Sequence, residues 1–203
     1  AQKIFTMGNA SMWKLLMMTW FYRRNLGIPD YEDYRKINGG LIGMFKSGYC
    51  SPVVKYDASS LYPAVKLEYI DPPSWDITAI GDGYLFFFLD TRLNYKTLTK
   101  QYFKALDIIM GQLYNILQHP LKIFINSYYG FLAAWNISPF SDMLSAHGIT
   151  AISRSVARHL IHWFEKRGFD AIYSHTDGIN FIYPLNVDDY KYIGKGLNWL
   201  VIK

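Results

Sequence analysis

Cysteine is nearly missing from this chain: its 203 residues include one, Cys50. That count excludes an internal disulfide framework and a cysteine-rich zinc site, and it suits a reducing compartment. Long apolar runs are missing too. The segment Met12 to Phe21 is apolar but only about half as long as a membrane-spanning helix requires. Nothing resembles a signal peptide, and there are no internal repeats or low-complexity tracts. The histidines His119, His147, His159, His162 and His175 are scattered, and His159 with His162 reads as a helix surface rather than a metal pair. No serine, Ser127 included, has the neighbouring His–Asp arrangement that nucleophilic catalysis needs.

What remains is a chain with 51% hydrophobic residues, enough for a substantial core, and 21 basic against 16 acidic residues. The net charge of +5 suits a polyanionic partner and salt-sensitive binding.

Three short runs carry the chemistry. They are Asp57-Ala-Ser-Ser60-Leu61-Tyr62-Pro63, Lys122-Ile-Phe-Ile-Asn126-Ser127-Tyr-Tyr129-Gly130 and Tyr173-Ser-His175-Thr176-Asp177-Gly178. Pro52 to Tyr56 is β-prone and ends at Asp57; Ala171 to Tyr173 is β-prone and approaches Asp177. Gly178 and the strand-like Ile179 to Tyr183 follow, so the third run reads as a β-hairpin with its acid near the turn and Gly supplying the backbone freedom. An Asp-Gly pair alone more often only caps a turn. The order of all three runs is what gives the reading its force. Two isolated carboxylates on strand ends, with a helix carrying one Lys between them, fit metal-dependent nucleotidyl transfer. In that reaction two Mg²⁺ ions about 3.5–4 Å apart clamp the attacking and leaving oxygens. Mg²⁺ takes few carboxylates, with phosphate and water completing its shell, so such a site needs few acids, rigidly placed.

These runs resemble the motifs of family B DNA polymerases of archaeal type. The first family motif, Asp-x-x-Ser-Leu-Tyr-Pro, is matched by Asp57, Ser60, Leu61, Tyr62 and Pro63. The second, Lys-x-x-x-Asn-Ser-x-Tyr-Gly, is matched by Lys122, Asn126, Ser127, Tyr129 and Gly130. The third, Tyr-x-Asp-Thr-Asp, is matched by Tyr173, Thr176 and Asp177, with His175 where the first Asp is expected. Gly39-Gly40 resembles the glycine pair between the exonuclease and polymerase regions. Ile149 to Arg154 resembles the palm-helix run Ile-Thr-Ala-x-Gly-Arg, with Ser153 replacing Gly.

The resemblance implies roles residue by residue. Asp57 and Asp177 are the catalytic residues and ligands of two Mg²⁺ ions, with Mn²⁺ as an alternative. Ser60 and Leu61 offer backbone N–H groups to the triphosphate, and Tyr62 excludes a ribose 2′-hydroxyl. Lys122 and Asn126 bind the nucleotide; Tyr129 and Gly130 lie beside the new base pair. Arg92 and Lys96 are spaced like a second phosphate-binding pair, although Arg92, Lys96 and Lys100 read equally as a solvated helix face. Gly39, Gly40 and Thr176 are expected to contact DNA. A neutral imidazole is a poor Mg²⁺ ligand, so His175 removes one negative charge from the site.

The implied fold is α+β: a palm of antiparallel sheet backed by helices, with an inserted helical hairpin as fingers. Residues 1–50 lead into the palm, 51–90 and 135–203 form it, and 91–134 are the fingers. Locally, Ser11 to Leu26 reads as an amphipathic helix. Gly81-Asp82-Gly83 reads as a turn before a buried strand, Tyr84 to Leu89. Asn94 to Leu117 and Pro120 to Ala134 read as two helices joined by a turn at His119-Pro120. A long helix over about Ser141 to Arg167 carries an Ile149, Ile152, Val156, Leu160, Trp163 stripe. The family's thumb and exonuclease domains are not in the chain, so a fragment, a subunit or a reduced relative is expected, with weak grip on DNA. Expected partners are primer–template DNA, dNTPs and further polymerase domains or subunits supplying thumb and exonuclease, with no membrane and a cytoplasmic or nucleoid-associated location. The alternative is a degenerate polymerase that binds DNA or nucleotide as a scaffold.

Overall fold

The computed structural model describes residues 8–31, 35–50 and 52–182. Tyr183, and the palm assignment over residues 183–203, lie outside the described residues. Among the described residues nine elements follow in order: α1 (Asn9–Arg23), β1 (Ile42–Met44), β2 (Val53–Asp57), α2 (Leu61–Tyr69), α3 (Ile80–Lys104), α4 (Ile108–Leu132), α5 (Met143–Glu165), β3 (Asp170–His175) and β4 (Gly178–Ile182). They fall into two compact units, one of Ala1–Lys36 with Lys66–His147, the other of Ile37–Val65 with Gly148–Lys203.

The first unit is helical and its core is aromatic. Trp13, Met17 and Phe21 recur every four residues along α1, and all three are buried. Trp13 stacks on Phe124 of α4 with ring centroids 4.5 Å apart, and its indole N–H donates to the Phe124 carbonyl at 3.0 Å. The polar edge of the ring is thus satisfied where its body is buried. Helices α3 and α4 form an antiparallel hairpin, since Tyr102 stacks on Tyr114 near the turn and Phe88 meets Phe124 farther from it.

Two expectations fail in this hairpin. The turn lies at Ala105–Asp107, not at His119-Pro120, because Leu106 adopts φ +61° and the Asp107 carboxylate caps α4 by accepting from Met110 N–H at 3.0 Å. Pro120 is interior to α4. An interior Pro costs about 3 kcal/mol or more; ring contacts to α3 on both sides of it, at Tyr114 and Phe124, hold the helix continuous. Gly81-Asp82-Gly83 and Tyr84 to Leu89 are the first turns of α3, not a turn and a strand. A short apolar run has no period that distinguishes strand from helix, and here Leu85 is buried while Phe86 and Phe87 are exposed. The α3 start is fixed by Asp76, whose carboxylate accepts from the N–H groups of Ile80 and Gly81 at 2.9 and 2.7 Å. It is fixed also by an ion pair between the buried Lys66 Nζ and the half-buried Asp82 Oδ2 at 2.6 Å. Burial raises the Asp82 carboxyl above its ordinary range, against the opposing pull of Lys66.

The second unit is a four-stranded antiparallel sheet in the order β1-β3-β4-β2 with α5 on one face. Ala157, Leu160, Ile161 and Phe164 of α5 pack on Ala171, Ile179 and Phe181, with Phe169 beside them. The expected stripe is therefore rotated: Ile149 and Leu160 are buried, but Ile152, Val156 and Trp163 are only half-buried. Strand β2 alternates cleanly. Val54, Tyr56, Ile179 and Phe181 face the helix, and Val53, Lys55 and Asp57 face the other way and are exposed. Among the described residues no helix is long and apolar enough to cross a membrane.

Candidate active site

Asp57 ends β2, and its partner across the ladder is Gly178, the first residue of β4. The residue before Gly178 is Asp177, whose carbonyl accepts from Ala58 N–H at 2.8 Å. The chain folds so that residues far apart in sequence become adjacent, and both carboxylates are exposed at the same end of the same strand pair. Gly178 has a different task from the expected one. The turn residue in the left-handed region is Thr176, at φ +58°, a strained conformation for a β-branched residue. Gly178 provides clearance: a Cβ there would lie 3.1 Å from Asp57 Oδ1 and 3.1 Å from Lys55 Cε.

The strained turn is held from behind. Thr176 N–H donates to the Leu41 carbonyl at 2.8 Å. Gly40 sits so close that a Cβ would come within 2.8 Å of Thr176 Cγ2 and 3.0 Å of its Cα. The preceding carbonyls, of Asn38 and Gly39, each accept from Arg154 Nη1 of α5 at 2.6 Å. Gly39, Gly40 and Thr176, grouped in sequence as DNA contacts, thus meet each other in one network that sets the position of Asp177.

His175 pairs with Gly178 from the β3 side, so it and Asp57 flank Gly178 in one row across the sheet. Beyond β2, Ser60 takes φ +55° and α2 begins at Leu61. The Leu61 side chain is buried and Tyr62 is half-buried; Ser60 and Leu61 stand at the N-terminal end of α2. Sequence reasoning missed Lys55, whose Nζ lies 3.4 Å from Asp57 Oδ1. Strand alternation carried the signal, because residues 55 and 57 must share a face.

In the helical unit, Lys122, Asn126 and Gly130 form one exposed line along α4, with Tyr129 half-buried beside it. A Cβ on Gly130 would meet nothing within 4 Å. Lys96 is held below the ordinary lysine range, first by burial and then by the positive charges of Arg92, Lys100 and Lys122. The hairpin therefore gathers four cations from its two helices. Arg92 is buried, with its guanidinium pushed down by desolvation, so it is no solvated surface residue.

The donor chemistry fits Mg²⁺. Two carboxylates share one strand end, and Mg²⁺ completes its shell with phosphate and water rather than with an all-protein cage. Among the described residues no cluster of three or more His, Cys, Asp and Glu side chains forms such a cage.

No protein-family model matches the chain. It is 27% identical over 206 residues to a DNA polymerase of Thermococcus sp. (strain 9oN-7), covering 87% of this chain and 26% of that protein. It is 27% identical over 197 residues to a DNA polymerase of Desulfurococcus sp. (strain Tok), covering 84% and 25%. It is 26% identical over 223 residues to DNA polymerase 1 of Sulfolobus acidocaldarius, covering 88% and 25%. The chain thus spans about a quarter of the length of the curated relatives it matches. The solved family B DNA polymerase of the hyperthermophilic archaeon Pyrobaculum calidifontis superposes with a TM-score of 0.66 at 18% identity, over 95% of this chain and 28% of that one. The α+β fold is that of a family B polymerase region, and the resemblance to archaeal family B DNA polymerases extends over most of the chain.

Proposed function

We propose that the chain is the palm and fingers of a template-directed DNA polymerase, which adds deoxynucleotides from dNTPs to a primer 3′-hydroxyl. The observation that carries the reading is the pairing of Asp57 with Gly178, which sets Asp57 beside Asp177. Asp57 and Asp177 hold two Mg²⁺ ions, with Mn²⁺ as an alternative. When bound, these ions lower the pKa of the primer hydroxyl and neutralise charge on the attacking and leaving oxygens. The sheet unit is the palm, and the α3–α4 hairpin belongs to the fingers.

The remaining residues bind and orient. Ser60 and Leu61 present backbone amides to the triphosphate, and the Tyr62 ring lies under the sugar and excludes a 2′-hydroxyl. Lys122, with Lys96 and Arg92, offsets triphosphate charge; the part of the Lys96 depression that comes from its neighbours' positive charges is relieved by an anion. Asn126, Tyr129 and Gly130 border the new base pair. Gly39, Gly40 and Thr176 position the Asp177 turn beside the DNA. Primer–template DNA and dNTPs are the partners, together with the polymerase domains or subunits that supply thumb and exonuclease.

One observation favours a weaker enzyme. Where the family motif has a carboxylate this chain has His175, and Lys55 sits at Asp57. A polymerase of low activity, or a scaffold that binds DNA and nucleotide without extending, is the second reading. Primer extension by the 203-residue chain with Mg²⁺ or Mn²⁺, beside Asp57→Asn and Asp177→Asn, decides between them. Metal-dependent extension lost in both variants supports the first reading. DNA binding without extension supports the second, and neither extension nor DNA binding rejects both.

A further inference from the structure

We propose that Lys55 is a resident counter-cation of Asp57, which a divalent ion must displace to load the site; this rests on the metal-site reading above. Lys55 and Asp57 are two residues apart on β2 and share the exposed sheet face. The Lys55 ammonium lies 3.4 Å from Asp57 Oδ1. Both side chains lean over Gly178: the position of an absent Cβ there is 3.1 Å from Asp57 Oδ1, 3.1 Å from Lys55 Cε and 3.7 Å from Lys55 Nζ. The ammonium therefore stands at the strand pair that brings Asp177 to Asp57.

The charge around Gly178 explains the consequence. Asp57 and Asp177 contribute two negative charges, and Lys55 returns one positive. His175, flanking Gly178 in the same row, contributes a ring where the third motif calls for a carboxylate. A divalent ion approaching Asp57 meets an ammonium already beside one of its carboxylate oxygens. The Lys55 and Asp57 side chains are 64% and 59% exposed, so water screens the pair and the ammonium gives way readily. Its effect is to raise the metal concentration needed to fill the site, not to block it.

The test is direct Mn²⁺ binding to the 203-residue chain, without nucleotide or DNA, read from the electron paramagnetic resonance signal of free Mn²⁺. Four proteins are compared: the parent, Lys55→Met, Lys55→Arg and Asp57→Asn. Lys55→Met is expected to lower the Mn²⁺ Kd by about two- to fivefold, the worth of displacing one exposed ion pair. Lys55→Arg, which keeps the charge, is expected to bind as the parent does. Unchanged or weaker binding in Lys55→Met overturns the proposal, as does equal tightening in both Lys55 variants. If Asp57→Asn loses Mn²⁺ binding while Lys55→Met matches the parent, the Lys55 proposal alone fails. If Asp57→Asn binds Mn²⁺ as the parent does, the metal-site reading fails and this proposal with it. A thermal melt of each protein separates these outcomes from unfolding.

Discussion

Replacing Gly130 with Ala separates stability from function. Gly130 lies near the end of α4, on the exposed line with Lys122 and Asn126, and a Cβ there meets nothing within 4 Å. Gly inside a helix costs about 0.5–1 kcal/mol relative to Ala through backbone entropy. With no clash to oppose this gain, Gly130→Ala should stabilise the protein. For a chain of this size the melting temperature should rise by about 1–4 °C. If the open space is where a nascent base pair sits, however, the added methyl enters an occupied volume. Overpacking of that kind costs about 1–3 kcal/mol, which is about a 5- to 150-fold loss in kcat/KM for single-nucleotide incorporation. The expected pattern is a higher Tm with lower activity. A stabilised variant with full activity would remove Gly130 from the base-pair site. A destabilised variant would show that this helix face is packed rather than open.

Three further outcomes follow from other parts of the molecule. Tyr62→Ala should relax sugar discrimination, measured as the ratio of deoxynucleotide to ribonucleotide incorporation; an unchanged ratio removes Tyr62 as the gate. His175→Asp restores a carboxylate in the row of Asp57 and Gly178 and should lower the Mg²⁺ concentration for half-maximal extension severalfold, whereas no change would place residue 175 outside the metal's reach. Lys66→Met leaves the half-buried Asp82 carboxylate without its ion-pair partner, which costs about 1–3 kcal/mol in denaturant unfolding. Burial already raises the folded-state pKa of Asp82, so the folded variant binds a proton more tightly than the unfolded chain does. Its stability should therefore recover as pH falls through the raised value and be lost as pH rises through it; a variant that weakens further on acidification would contradict this.

Three of the four strands were readable from sequence because their β-prone runs flank a short turn or end at a motif; β1, Ile42–Met44, was not. Val53 to Asp57, and the strands around Thr176-Asp177, lie where their β-prone runs place them. The helical hairpin misled in two places for one reason: local signals were overridden by contacts with distant residues. Pro120 carries the signature of a helix start, yet packing against α3 carries α4 through it. Gly81-Asp82-Gly83 carries the signature of a turn, yet Asp76 and Lys66 recruit it into a helix. On α5 two apolar stripes run side by side, and sequence gave no means of seeing that Ala157, Ile161 and Phe164 face the sheet more squarely than Ile152, Val156 and Trp163. At the site, the motifs named Asp57, Asp177 and Lys122 but not what holds them. The Arg154 clamp on Asn38 and Gly39 and the φ of Thr176 depend on long-range geometry. Lys55 was within reach of the period-two pattern.

The most direct measurement is an anomalous-scattering map from crystals grown with Mn²⁺, primer–template DNA and an unreactive dNTP analogue. Two Mn²⁺ peaks about 3.5–4 Å apart, both bound by carboxylate oxygens of Asp57 and Asp177, are the predicted result. Nucleotide bound with no Mn²⁺ at those carboxylates, or Mn²⁺ held by other side chains, would contradict it.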